Sequence, residues 1–187
     1  GWITITASLD VSGDVTVGGN LTVAGNVTAD NVHIPTMIFS HTDANISVAS
    51  GGTWHNVTFD EGDAPVKYQI THNYTDVRND TFKIVSTGVY EILYTMSFAD
   101  SAASPSGHIN TRVILNNVEI NGSLLESDTS KQYADTIISH SSILAELTAG
   151  DTIAFQFTAD DTTIALQSHA TSGVHRDSAV ISIKRLA

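Results

Sequence analysis

The sequence has 187 residues, 41% of them hydrophobic, with no cysteine and a formal net charge of −12. That length suits one fair-sized domain plus an appendage; the missing thiols exclude disulfides and thiolate chemistry, and no apolar run of about eighteen residues exists to span a membrane. The 8 Lys and Arg are scattered singly, which excludes nucleic acid as a partner, because neutralising its backbone needs clustered cations.

Trp2, Ile3 and Ile5 open the chain as a short alternating run. Leu9 to Val32 then reads L-D-V-S-G-D, V-T-V-G-G-N, L-T-V-A-G-N, V-T-A-D-N-V. Leu9, Val15, Leu21 and Val27 begin successive six-residue units, and Val11, Val17, Val23 and Ala29 follow two places on. Apolar residues at alternate positions predict short strands with one buried face. Gly followed by Asp or Asn predicts the corners, since both tolerate positive φ. A single-chain triangular coil would need about three such hexads per turn, so four leave almost nothing to stack on. Three copies sharing one prism solve this, with Leu9, Val11, Val15, Val17, Leu21, Val23 and Val27 at the trimer interface. A disordered Gly/Asn/Thr linker is the plainer reading, but it would not need regular Val and Leu. Ile34-Pro35 ends the pattern, giving a stalk over 1–35 and a head over 36–187.

Helix signals are almost absent from the head. Ser142–Leu147 is too short to stand against its strand-rich surroundings. The predicted strands are Met37–His41, Thr53–Phe59, Tyr68–Thr71, Thr81–Ile84, Gly88–Ala99, Ile109–Leu115, Val118–Ile120, Ile137–Leu147, Thr152–Ala159, Thr163–Ser168 and Ala179–Arg185. Asn116-Asn117 and Asn121-Gly122 are turns; Asp60–Pro65 and Ser101–Gly107 are loops. Along Gly88–Phe98, Tyr90, Ile92, Tyr94, Met96 and Phe98 share a core face. Val89, Leu93 and Thr95 lie on the mixed opposite face, which suits contact with a partner subunit. An antiparallel all-β sandwich follows.

F-K-I-V-S-T-G-V-Y-E-I-L-Y at Phe82–Tyr94 resembles the signature of the globular head of complement component one q and its tumour-necrosis-factor-like relatives. R-V-I-L-N-N-V-E-I at Arg112–Ile120 resembles that family's hairpin, L-T-A-G-D-T-I-A-F at Leu147–Phe155 its Leu-x-x-Gly-Asp element, and S-A-V-I-S-I-K-R-L at Ser178–Leu186 its closing strand. The match spans about Thr36 to Ala187. The family's Phe-Ser-Gly-Phe ending is missing, and Asn-Asn replaces the usual Asn-Gly. The resemblance implies a ten-stranded jelly roll that forms a tight homotrimer. The hexads are similar to stalks of phage and archaeal-virus fibres, which implies a β-prism or β-helix stalk under a jelly-roll head.

Together these resemblances imply a structural virion protein: a fibre, spike or capsid decoration at the particle surface. It would dock to other virion proteins through its N-terminal region and bind a host surface glycan or surface-layer protein through its head. A cellular surface adhesin or exosporium-like protein of the same fold is the alternative, and its location would be extracellular. The acids are 15 Asp and 5 Glu, dispersed, and such a surface stays hydrated in high salt, which suits a salt-loving host.

No enzyme is expected. The sequence holds no G-x-S-x-G, G-x-x-x-x-G-K-[ST] or H-E-x-x-H, and H-R-D at His175–Asp177 lacks every other kinase feature. The eight His (33, 41, 55, 72, 108, 140, 169, 175) show no metal-ligand spacing. Asp60, Glu61 and Asp63, or Asp160 and Asp161, could hold calcium through clustered carboxylates; solvated loop acids are the default, and no cofactor is expected. Asn-x-Ser/Thr sequons at Asn20, Asn26, Asn45, Asn56, Asn73, Asn79 and Asn121 matter only where surface proteins are glycosylated.

Overall fold

Alternation of apolar and polar residues sets the long strands, and a computed structural model shows how they pair. The structure describes residues 11–19, 22–24, 36–59, 66–72, 79–168 and 177–187. The chain divides into two units, Gly1–His33 and Ile34–Ala187. None of the described residues of the first unit is in a strand, and Val11, Val15, Val17 and Val23 are exposed. An isolated hexad has no neighbouring copy to bond with. Leu9, Leu21 and Val27 lie outside the described residues.

The second unit is built of strands alone among its described residues. They are β1 (Met37–Thr42), β2 (Ile46–Ser47), β3 (His55–Asn56), β4 (Val66–Tyr68), β5 (Ile70–Thr71), β6 (Phe82–Ile84) and β7 (Gly88–Asp100). Then come β8 (His108–Leu115), β9 (Val118–Glu119), β10 (Leu125–Asp128), β11 (Thr136–Leu147), β12 (Thr152–Ala159), β13 (Ile164–Leu166) and β14 (Ala179–Arg185). The first sheet runs β2-β13-β7-β14-β1-β4, with β11 on the other flank of β7. The second runs β10-β8-β12-β6-β5, with β3 added to β12 and β9 to β8. Every pairing is antiparallel. Successive strands alternate between the sheets, from β6 to β7 to β8 and from β10 through β11 and β12 to β13. This is the connectivity of a jelly-roll sandwich.

The 13-residue β7 is the axis of the first sheet. Tyr90, Ile92, Tyr94, Met96 and Phe98 are all buried and face Ile109, Val113, Ile153, Phe155 and Phe157 of the second sheet. Each such side chain contributes about 1.5–3 kcal/mol on leaving water. Phe59, Phe82 and Phe155 meet edge to face, with centroids 5.2–6.0 Å apart. The Tyr94 hydroxyl donates to the Ser123 carbonyl at 3.0 Å and bonds Thr111 Oγ1 at 2.9 Å, tying the sheets across the core.

The strand count exceeds the ten implied by resemblance, for local reasons. Gln69 adopts φ +52 and splits Tyr68–Thr71 into β4 and β5. Thr53–Phe59 shrinks to His55–Asn56, because only that pair ladders with β12. The short β2 and β10 were not predicted from sequence. Asn116 and Asn117 both take positive φ, 50° and 68°, as a tight two-residue hairpin turn requires.

Candidate functional site

The outward face of the first sheet gathers the head residues singled out in the sequence. Val89, Leu93 and Thr95 alternate with the core residues of β7 and are half-buried in the isolated chain. The register sets Leu93 beside Ser182 and Thr95 beside Val180, and Ser182 in turn beside Phe39. On the other flank Thr95 faces Ser139, and their hydroxyls bond at 2.8 Å. Phe39, Leu93, Thr95, Ser139 and Val180 line a shallow cleft of about 230 Å³. Leu144 (63% exposed) and Ile137 (64%) continue the apolar surface onto β11. Phe39 was not singled out beforehand; its alternation with Ile38 and Ser40 on an outer strand was the available signal.

One end of the sandwich is organised by acids. Asp100, at the end of β7, is 1% exposed. It accepts from the Ala102 amide (2.9 Å), Thr129 Oγ1 (2.8 Å) and Thr163 Oγ1 (2.7 Å), joining three loops. Burial pushes its pKa up, but those three donors outweigh burial, and the carboxyl sits below its ordinary value. Next to it, the Asp160 carboxylate accepts from the His108 amide at 2.8 Å and meets its Nδ1 at 2.9 Å. The amide bond is the main reason the Asp160 pKa is lowered, while the hydrogen bond to Asp160 is the main reason the His108 pKa is raised. A Cβ on Gly51 would collide with the Asp160 carbonyl oxygen, and one on Gly107 with the Ile164 side chain.

The calcium expectation finds no support here. Asp160 is engaged with His108, and Asp161 accepts from the Thr163 amide at 3.0 Å. Among the described residues no group of three His, Asp or Glu is placed to hold a metal ion. Asp60, Glu61 and Asp63 lie outside the described residues. The histidines are dispersed: His41 pairs with Asp177 at 3.0 Å, and His140 bonds the Gly122 carbonyl at 2.9 Å. His72 stacks on Phe82 at 4.4 Å and bonds the Asn79 carbonyl, and burial lowers its pKa. His33, His169 and His175 lie outside the described residues, and with His175 most of the H-R-D tripeptide.

The outward face of the second sheet carries a polar line that sequence reading missed. Arg112 stacks over Trp54, 3.7 Å from the ring centroid. Its Nε donates to Gln156 Oε1 (2.9 Å) and its Nη1 to Glu119 Oε2 (3.3 Å). Gln156 Nε2 donates to Asn56 Oδ1 (2.7 Å), and Asn56 Nδ2 donates to Asp80. Alternation along β8 and β12 placed Arg112 and Gln156 outward, but only the β3–β12 register brings Asn56 and Trp54 to them.

No protein-family model and no curated protein matches the sequence. Among solved structures, the Eiger TNF from S. frugiperda is similar, with TM-score 0.46 and 18% identity over 82% of this chain and 93% of that one.

Proposed function

We propose that this chain is a structural virion protein, a homotrimeric fibre, spike or capsid decoration whose jelly-roll head meets the host surface and whose hexad segment tethers it to other virion proteins. The observation that carries the homotrimer in this reading is the outward face of the first sheet; the virion setting rests on the resemblance of the hexads to fibre stalks. Phe39, Leu93 and Val180 surround a cleft there, and Ile137 and Leu144 extend it, an apolar area that a second copy of the head would cover. The regularly spaced Val11, Val15, Val17 and Val23, all exposed in one chain, support the same arrangement. Three linked heads repeat one weak contact three times, so avidity multiplies affinity without a bond being made or broken.

Native mass spectrometry tests the assembly: a species at three times the 19.9 kDa chain mass is expected, and a monomer would overturn it. Imaging particles with antibody against the chain tests the location. Label on the virion surface is expected; label confined to cell envelopes would favour the adhesin reading instead.

A further inference from the structure

We propose that the outward face of the second sheet, centred on Trp54, binds a neutral oligosaccharide. The proposal gives the host-contact reading above a site and a ligand class, and it rests on that reading only for the source of the sugar. Trp54 directly precedes β3. The pairing of Asn56 with Gln156 and of His55 with Phe157 sets Trp54 opposite Thr158, on the outward side with Asn56 and Gln156. Trp54 is partly accessible, and the Arg112 guanidinium covers one face of its ring. A pyranose presents an apolar C–H face and a rim of hydroxyls that both donate and accept. The indole face away from Arg112 would take the first, and fixed amide, guanidinium and carboxylate groups suit the second.

Those polar groups are already fixed. Arg112 spends two of its five N–H groups on Gln156 and Glu119, and Gln156 spends one N–H on Asn56. The remaining donors and lone pairs are held in line beside the ring. Their rotamer entropy is spent on folding rather than on binding, which favours affinity. The charge of −12 argues against sulfated or sialylated sugars and for neutral ones.

A second observation points to the same strip. Among the described residues, two buried side-chain atoms lack a hydrogen-bond partner, His55 Nε2 and Thr158 Oγ1. One belongs to the residue after Trp54 and the other lies opposite it. Folded proteins leave few buried polar atoms unpaired, and each such atom calls for a partner: a water, an ion, a ligand, or strain that takes its place. Thr158 Oγ1 is on the outward side opposite Trp54; His55 stacks on the core residue Phe157 and faces the other way, so only the Thr158 atom belongs to this strip.

The sequence has two tryptophans, so a Trp2→Phe background leaves Trp54 as the sole indole reporter. Fluorescence titration of that protein uses chitohexaose, maltohexaose and mannohexaose, with a heparin oligosaccharide as the anionic control. A saturable change with at least one neutral probe and none with heparin is expected. Calorimetry with the same neutral probe should show binding lost in Trp54→Phe and weakened about tenfold in Gln156→Ala, the size of one lost hydrogen bond. Circular dichroism establishes that both variants are folded; if Trp54→Phe is not, Gln156→Ala decides. No saturable response to any neutral probe, preference for heparin, or undiminished binding by the folded variants would overturn the site. A monomer that still binds sinks the assembly and leaves this site standing; a trimer that binds no probe does the reverse.

Discussion

Asp100 shows how much a single side chain can hold. Its carboxylate joins the loops that follow β7, β10 and β12 through one amide and two hydroxyls. Replacing Asp100 by Ala leaves three buried or half-buried donors without their acceptor, and a loss of about 1–3 kcal/mol is expected in urea unfolding. Because the folded pKa lies below the ordinary value of 3.8, the stabilisation is present above 3.8 and lost as pH falls through the folded pKa. Asp100→Ala should therefore flatten the acid limb of the stability curve. A limb as steep as wild type would refute this. Sequence alone offered only Phe-Ala-Asp at a strand end, and the partners lie 29 and 63 residues away.

His108 and Asp160 make a second pH-dependent contact, this one at the surface. The raised His108 pKa means its contribution is present below 6.5 and lost as pH rises through the folded value. The depressed Asp160 pKa means its contribution is present above 3.8 and lost in acid. The pair therefore works best between those limits. Thermal melts of wild type and His108→Gln should differ most near pH 5 and converge in mild alkali; a difference that grows above neutrality would refute the assignment. Both groups are solvent-exposed, so the effect is small and shrinks with added salt.

At the scale of the element, the strands legible in the sequence were those whose alternation ran long enough to fix a face. β7, β12 and β14 emerged where alternation placed them. β2 and β10 did not, because two to four residues with one apolar side chain carry no period. Gln69 breaks a strand without being a turn residue, and nothing in the sequence announces it.

β11 is the informative exception. Ile138 and Ile143 are both buried although five residues apart, an odd spacing that alternation forbids. A bulge between His140 and Ile143 absorbs the extra residue and returns Ile143 to the core opposite Ile92. Deleting Ser141 should remove the bulge and keep that register, giving a folded protein by near-ultraviolet circular dichroism. Deleting Ser141 and Ser142 together should turn Ile143 outward and unfold the sheet edge. Equal damage from both deletions would refute the register argument.

The Asn116-Asn117 turn separates backbone from side-chain demands. Both residues need positive φ, but only Asn116 also bonds Asp151 Oδ1 (2.8 Å), the Thr152 amide (2.9 Å) and the Thr152 hydroxyl (3.1 Å). Asn117→Gly should change stability by less than about 0.5 kcal/mol, whereas Asn116→Gly loses those bonds and should cost about 1–2 kcal/mol. Urea midpoints of the two variants check the order. The Asn-Asn pair between R-V-I-L and V-E-I identified the turn, but not the tie from its first residue to the start of β12.

For the whole molecule, the proposed trimer and the proposed oligosaccharide site fall on different outward faces. The first sheet's face is apolar at its centre, with Phe39 39% exposed and Leu93 and Val180 half-buried. The second carries the polar line from Asp80 to Glu119. A protein whose first face mates with copies of itself keeps the second free for another partner. Leu93→Asp tests this division, since Leu93 lies outside the core and a charge there should leave the sandwich folded. The expected result is a shift of the native mass from three chains to one with an unchanged far-ultraviolet spectrum, because a desolvated carboxylate facing an apolar partner has no counter-charge. Trp54→Phe should leave the trimer intact. If Leu93→Asp remained trimeric, the head face would not be the contact, and the hexads at Val11, Val15, Val17 and Val23 would have to hold three chains together on their own.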